Sequence, residues 1–249
     1  MLIKKYVVIG PVILLLIWFI VSLSGVIDSF FLPSPISTIQ ELVKLISTGA
    51  IIPDTFITLE RVIIAFILAL IIGLPAGLIL GSTPKIYESV EFVIEFFRSI
   101  PATAMFPLFM LVFGISDSSK IAVATFASIL IILFNTAYGV RHSKKLRALT
   151  AKLMGASKIQ IFRFVSFWES LPQTIAGMRL AVSLSLIIII VTEMFIGTTV
   201  GLGRLIIDFQ YTYDIPGMYA IILLVGVIGY LINIVFIIAE KKFIRWTGS

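Results

Sequence analysis

The sequence predicts an all-α integral membrane protein with six transmembrane helices and both termini in the cytoplasm. Three observations carry this reading. Of 249 residues, 59% are hydrophobic and 13% charged, against roughly 45–50% and about 25% in soluble domains. Several runs free of Asp, Glu, Lys and Arg reach the about 18–20 residues that cross the hydrocarbon core as a helix. Their near-continuous apolarity also lacks the alternation of a membrane β-barrel, and inside a bilayer only helices and closed barrels pair every backbone group. Finally, Lys and Arg collect on alternate connections, which sets the orientation.

The first span is the charge-free run from Val7 to Ile27. Lys4-Lys5, the apolar run and Ser22-Leu23-Ser24 also suit a secretory signal, but the run exceeds the about 7–15 residues of a signal core, so a retained helix is expected. An exterior connection, Asp28 to Glu60, follows. In it Ile39, Leu42, Val43 and Ile46 recur at helical spacing after Pro33 and Pro35, the pattern of an amphipathic helix lying on the outer surface. Residues 1–57 therefore read as an N-terminal helix plus an extracytoplasmic amphipathic connection, and residues 58–249 as the core.

The second span, Val62 to Pro84, is expected to open at Asp54 or Thr55, ahead of Thr58, and to kink at Pro75. Gly73, Gly77 and Gly81 share one face at intervals of four, either as a packing seam within or between subunits or because glycine is frequent in membrane helices. A charged turn, Glu88 to Arg98, leads into the third span, Ser99 to Ser116, where Pro101 and Pro107 are expected to free carbonyls at membrane depth. Such carbonyls are tolerated only against protein or a water-filled cavity, so Pro101 is a candidate wall of a pathway. The fourth span, Ile121 to Val140, ends in Asn135, Thr136 and Tyr138. Asn135 suits hydrogen bonding to a neighbouring helix or the lining of a path.

Between the fourth and fifth spans lies a basic segment with Arg141, Lys144, Lys145, Arg147, Lys152, Lys158, Arg163 and Arg179 against the single acid Glu169. Its order predicts a helical stretch from Ser143 to Met154, a Gly155-Ala156-Ser157 turn, and a second stretch from Lys158 to Trp168 closed near Pro172. Gly155 can end a helix in the left-handed conformation and Ser157 can cap the next. The fifth span, about Met178 to Thr198, is interrupted by Arg179 at its mouth and by Glu193, and the sixth runs from Ile215 to Ala239. An intramembrane carboxylate must face protein or water. Glu193, beside Thr192, therefore either takes part in a solute path or gate, or accepts hydrogen bonds or pairs with a cation.

With the N-terminus inside, Lys4, Lys5, Lys85, the basic segment, Lys241, Lys242 and Arg245 are cytoplasmic, and Lys44, Arg61, Lys120 and Arg204 are exterior. This distribution explains the net charge of +6 without nucleic acid as a partner; the lipid bilayer is the partner the composition demands. Catalytic chemistry finds few residues. There is no cysteine and one histidine, His142, read as a solvated loop residue. No G-x-S-x-G elbow and no G-x-x-x-x-G-K-[ST] phosphate loop occurs, so the chain is expected to be no enzyme, to hold no cofactor or metal, and to draw any ATP energy from another subunit.

The order Ser99-Ile100-Pro101, Phe113-Gly114-Ile115, Asn135-Thr136-Ala137-Tyr138-Gly139-Val140-Arg141, Met154-Gly155-Ala156-Ser157, Gly177-Met178-Arg179-Leu180-Ala181, Thr192-Glu193-Met194 and Gly201-Leu202-Gly203 resembles the permease subunit of binding-protein-dependent ABC importers, in the nitrate/sulfonate/taurine class. The likeness extends over about Thr58 to Ala239. It implies a type I importer permease fold in a prokaryotic plasma or inner membrane. It also implies partners: two cytoplasmic ABC ATPase subunits that bind ATP and Mg2+, a second permease copy, and an extracytoplasmic solute-binding protein. The loop at about 141–177 would carry the family's EAA motif and dock on the ATPase through Leu149, Ala151, Gly155, Ala156, Ser157, Phe162, Phe167 and Trp168. Two departures stand out: the motif's Glu-Ala-Ala falls on Leu149-Thr150-Ala151, and its Leu-Pro on Phe167-Trp168, with only the later Leu171-Pro172 matching. The loss of the acid and the larger apolar contact imply an altered fit to ordinary family ATPases. The solute implied is small, an anion or sulfonate-like compound. Two other classes remain open from the residues alone: an ion- or proton-coupled carrier with Glu193 as the proton site, and a membrane scaffold.

Overall fold

The computed structural model describes residues 9–143, 145–195 and 197–243, apart from the side chains of Lys145 and Phe243. The expectations for Lys4, Lys5, Lys144, Arg245 and both chain ends lie outside these residues. Every regular element among the described residues is a helix. Short α1 (Ile9–Leu23) leads to α2 (Pro35–Ser47), the amphipathic helix of the connection, which Ser34 caps by accepting from the Ser37 N–H. Trp18 Nε1 donates to the Pro33 carbonyl at 3.0 Å and its ring stacks on Tyr219, which fastens this corner to the last helix.

Three helices form the centre: α3 (Ile52–Ser82), α6 (Asp117–Arg141) and α9 (Phe167–Glu193). Each shows a buried stripe at intervals of four. On α3 it is Ala65, Ala69, Gly73, Gly77 and Gly81, on α6 Ala124, Ser128, Ile132 and Thr136, on α9 Gly177, Ala181, Ser185, Ile189 and Glu193. Small side chains let the backbones approach, so dispersion and interhelical hydrogen bonds replace the hydrophobic drive that lipid cannot supply. Ser128 shares a 2.8 Å hydrogen bond with Ser185, and Thr125 Oγ1 donates to the Ala65 carbonyl. Gly73, Gly77 and Gly81 face α6 directly, against Ile132, Leu133, Thr136, Ala137 and Val140.

The other elements differ from expectation in instructive ways. The charged turn and third span become α4 (Pro84–Ser99), a 3-10 turn (Ala102–Met105) and α5 (Phe106–Phe113), bent by 87°. Pro101 excludes Ile100 from the helical region, and Ile100 is extended at φ −81°, ψ 125°. Pro107 stands in the first turn of α5, where the missing N–H was already without an intrahelical partner, so it frees no carbonyl. The α3 start is also earlier than expected: Ile51 is the N-cap, Pro53 lies in the first turn, and Asp54 instead accepts from the Gly201 N–H at 2.7 Å.

Past the basic segment, helix does not close near Pro172. α7 (Lys145–Leu153) is followed by α8 (Lys158–Ile161), a π turn (Phe162–Ser166) and α9, and the last three form one helical run of 36 residues, Lys158–Glu193. Pro172 removes a single backbone bond, which a helix packed on both sides tolerates. Helix α10 (Leu202–Tyr211) then turns back, and α11 (Ile215–Phe243) packs on α2, α9 and α10 with little of its length fully buried. By length and composition four helices can cross a membrane, or five if α4 and α5 together form one span.

Candidate functional site

Two sites stand at opposite ends of the Lys158–Glu193 helical run. The first is the α7–α8 knob. Gly155 ends α7 at φ +87°, and the N–H groups of Met154, Gly155 and Ala156 donate to Thr150, Lys152 and Ala151 at 3.0 Å each, satisfying the final carbonyls of α7. A Cβ on Gly155 would meet nothing within 4 Å, so backbone conformation, not space, calls for glycine. Ser157 opens α8 with a capping box: its N–H donates to Gln160 Oε1 at 2.7 Å, and its Oγ accepts from the Gln160 N–H.

What this turn presents is apolar. Leu146, Leu149 and Leu153 share a face of α7 and are exposed, as are Met154, Ile159, Phe164 and Trp168; Leu153 and Met154 keep 81% and 82% of their surface. Ala151, Ala156, Phe162 and Phe167 are half-buried beneath them, and the Phe167 and Trp168 rings meet edge to face. A hollow of about 320 Å³ opens between Ala151, Met154, Gly155 and Phe164. Exposed apolar side chains gathered on a short helix and at the mouth of a span make this turn a candidate contact site. Arg147 donates to Glu169 at 2.9 Å, so the segment's single acid ties α7 to the first turn of α9.

The second site surrounds Glu193, which is fully buried. Its carboxylate accepts from Arg61 Nη1 at 2.6 Å, from Thr58 Oγ1 at 2.9 Å and from the Gly203 N–H at 3.0 Å. Arg61 Nη2 lies 2.7 Å from Asp117, which pairs with Lys120 at 3.1 Å. Glu193, Arg61, Asp117 and Lys120 thus form a series of alternating charge in which Asp117 alone is exposed, so each buried charge has an opposite partner within 3.1 Å. Arg61 Nη1 also donates to the Val200 carbonyl. Close backbone approach explains the glycines of the α9–α10 turn: a Cβ on Gly201 would meet the Glu193 carboxyl, and one on Gly203 the Ile190 carbonyl.

The remaining candidates are scattered. Asn135 accepts from Gln173 Nε2 at 2.9 Å and donates to the Ile131 carbonyl, bridging α6 and α9 where Gly177 makes room for it. Thr192 is buried and donates to the Ile189 carbonyl of its own helix. Pro101 stands exposed at the α4–α5 bend. His142 is exposed and stacks on Tyr138.

Sequence reasoning missed Arg61 and Thr58 as partners of Glu193, and Asp117 as the second partner of Arg61, placing Arg61 only among the exterior cations. A signal was present: Thr58 and Arg61 are three apart on one helix face, and Arg61 borders a charge-free run. What pairs them with Glu193 is the α3–α9 packing, which periodicity cannot specify.

The family model for the inner membrane component of binding-protein-dependent transport systems matches residues 69–247. A probable ABC transporter permease protein of Brucella melitensis is 27% identical over 229 residues, covering 92% of this chain and 92% of that protein. The taurine transport system permease protein TauC of Escherichia coli is 25% identical over 242 residues, covering 95% and 88%. Among solved structures, an inward-facing conformation of the MetNI methionine ABC transporter matches with a TM-score of 0.67 at 21% identity, covering 79% of this chain and 97% of that one.

Proposed function

The chain belongs to the family of binding-protein-dependent transport system inner membrane components, a permease component of an ABC importer in the plasma membrane, and we propose from this that it couples ATPase closure to alternating access through the α7–α8 knob. In this reading residues 58–249 form the permease core, and the segment at about 141–177, with its knob, faces the cytoplasm. α1 and the α4–α5 pair complete six spans with both termini inside. Two copies, or two related permeases, enclose the path. ATP and Mg2+ act on two partner ATPases, and an extracytoplasmic binding protein delivers a small solute. A taurine permease among the relatives supports a sulfonate or other small anion.

One observation carries the reading: the knob and the buried Glu193 cluster are the two ends of a single helical run, Lys158–Glu193. Thirty-six residues at 1.5 Å rise make a lever of roughly 54 Å. An ATPase groove that seats Leu149, Leu153, Met154 and Trp168 and then moves would displace that lever. Arg147–Glu169 makes α7 follow it, and Glu193 transmits the displacement to α3 and to the α9–α10 turn. Coupling then needs only that the groove contact the knob differently in two packings of the spans. Pro101, Asn135 and Thr192 are the remaining candidates for the path or its gate. The family does not favour the proton-coupled alternative, and a Glu193 carboxylate held by three donors at 3.0 Å or less suits anchoring.

The test is conformational. A β-branched residue in the left-handed region costs about 1–2 kcal/mol, so Gly155→Val should weaken association with the ATPase subunit about fivefold to thirtyfold. Asn adopts that region readily, and Gly155→Asn should stay within about threefold of wild type. Equal association by all three proteins, measured by co-purification titration, would remove the knob from the docking contact.

A further inference from the structure

Beside the knob, and sharing Phe162 and the start of α8 with it, is a second feature. A cleft of about 980 Å³ opens between the end of α3, the end of α6 and the α8 region. Pro75, Leu78 and Ile79 of α3 line it together with Phe162, Arg141 and Lys158, and of these the α3 residues lie furthest into a span, with Arg141 at the end of α6 and Lys158 at the start of α8. Among the described residues no carboxylate lines it. Among the described residues neither Arg141 nor Lys158 has an ion-pair partner; Arg141 instead lays its guanidinium over the Tyr87 ring, 4.0 Å from the centroid. Stacking fixes the plane of the guanidinium, and no carboxylate of the cleft lining engages its N–H groups.

We propose that this cleft binds an anionic phospholipid of the leaflet next to the knob, its phosphate between Arg141 and Lys158 and an acyl chain along Pro75, Leu78 and Ile79. Placing that leaflet on the cytoplasmic side rests on the orientation proposed above. The depth of the cleft selects the occupant. From Ser82 at the end of α3 down to Pro75 is seven residues, about 10 Å of helix rise, and the wall over that distance belongs to a membrane span. A protein arriving from the aqueous side meets only the rim, whereas a lipid offers an anion at the rim and hydrocarbon at span depth together. Two uncompensated cations between helices are the matching half of such a headgroup site. The lipid would bear on Lys158, the first residue of the lever, and so brace the knob against the end of α3.

Native mass spectrometry of the purified full chain with added phosphatidylglycerol or phosphatidylcholine reads the site directly. Preferential retention of phosphatidylglycerol is expected, lowered on the order of thirtyfold by Arg141→Gln with Lys158→Glu. Lys158→Glu alone, at an exposed helix start that should not disturb folding, should lower it on the order of fivefold, while the α7 variant Lys152→Glu should leave it unchanged. Equal retention of both lipids, or equal loss with Lys152→Glu, overturns the proposal. So does displacement of the lipid by inorganic phosphate at equal concentration, which would make this a free-anion site. Expulsion of the lipid when the ATPase subunit or a second permease copy binds would make the cleft a protein interface and likewise overturn it. Because the comparison of lipids and variants uses the chain alone in detergent, and partners enter only in the expulsion arm, retention is read independently of orientation and of knob docking.

Discussion

Replacing Arg61 by alanine should destabilise the purified protein by about 3–5 kcal/mol, because it strands the Glu193 carboxylate in the interior with no countercharge. The magnitude follows from burial: the Arg61 and Glu193 side chains are 7% and 0% exposed at an N–O distance of 2.6 Å, so water cannot take over the missing partner. Thr58 and Gly203 would still donate to the carboxylate, but neutral donors do not cancel its charge. For a chain of this size the loss corresponds to a fall in melting temperature on the order of 10 °C. Glu193→Gln should cost less, since Asp117 remains beside Arg61 at 2.7 Å. Arg61→Met combined with Glu193→Leu should recover much of the stability lost by Arg61→Ala alone, as apolar replacement of a whole buried pair often does. An Arg61→Ala melting temperature within about 2 °C of wild type would show the cluster to be solvated and remove it as the anchor of α9.

The α3–α6 seam is the second place where one atom decides. A Cβ on Gly77 would stand 2.7 Å from both the Leu133 carbonyl oxygen and Thr136 Cβ, and one on Gly81 2.6 Å from Val140 Cβ. Backbone cannot yield as a flexible side-chain tip does, so Gly77→Leu must push the helices apart. Overpacking of this kind typically costs about 1–3 kcal/mol per site, and the neighbouring Gly77 and Gly81 changes should be non-additive. Gly226 on α11 has nothing within 4 Å of its Cβ position, so Gly226→Leu is the matched control and should be near neutral. Melting of Gly77→Leu, Gly81→Leu and Gly226→Leu side by side checks this; equal values for Gly77→Leu and Gly226→Leu would mean that α3 and α6 do not meet at the glycines.

The helical class and the positions of the long apolar segments were legible because bilayer physics leaves few alternatives. So was the Gly155–Ser157 turn, since left-handed glycine and serine capping are local chemistry. Residues whose behaviour depends on neighbours were harder to read. Pro101 was expected to free carbonyls within a membrane span and instead accompanies an 87° bend, whereas Pro172 was expected to close a helix and is absorbed within one. Proline's local effect is the same at both positions, and the outcome differs with packing: the Pro172 region lies against α6, with Ser170 meeting Gly139, while Pro101 is exposed. Glu193 was legible as a buried carboxylate that must be satisfied. Its partners Thr58, Arg61 and Gly203 were not, because they come from two other elements.

The central claim is that the α7–α8 knob is the surface that meets the ATPase. The native chain contains no cysteine, so single thiols can be placed without background. Leu153 and Met154 are exposed at the knob, and Tyr211, 78% exposed at the end of α10, lies beyond the opposite end of the lever. In membranes holding the assembled transporter, a thiol-specific photo-crosslinker on Leu153→Cys or Met154→Cys should trap the ATPase subunit, and one on Tyr211→Cys should not. Trapping from Tyr211→Cys, or none from either knob position while the complex stays intact, would contradict the account.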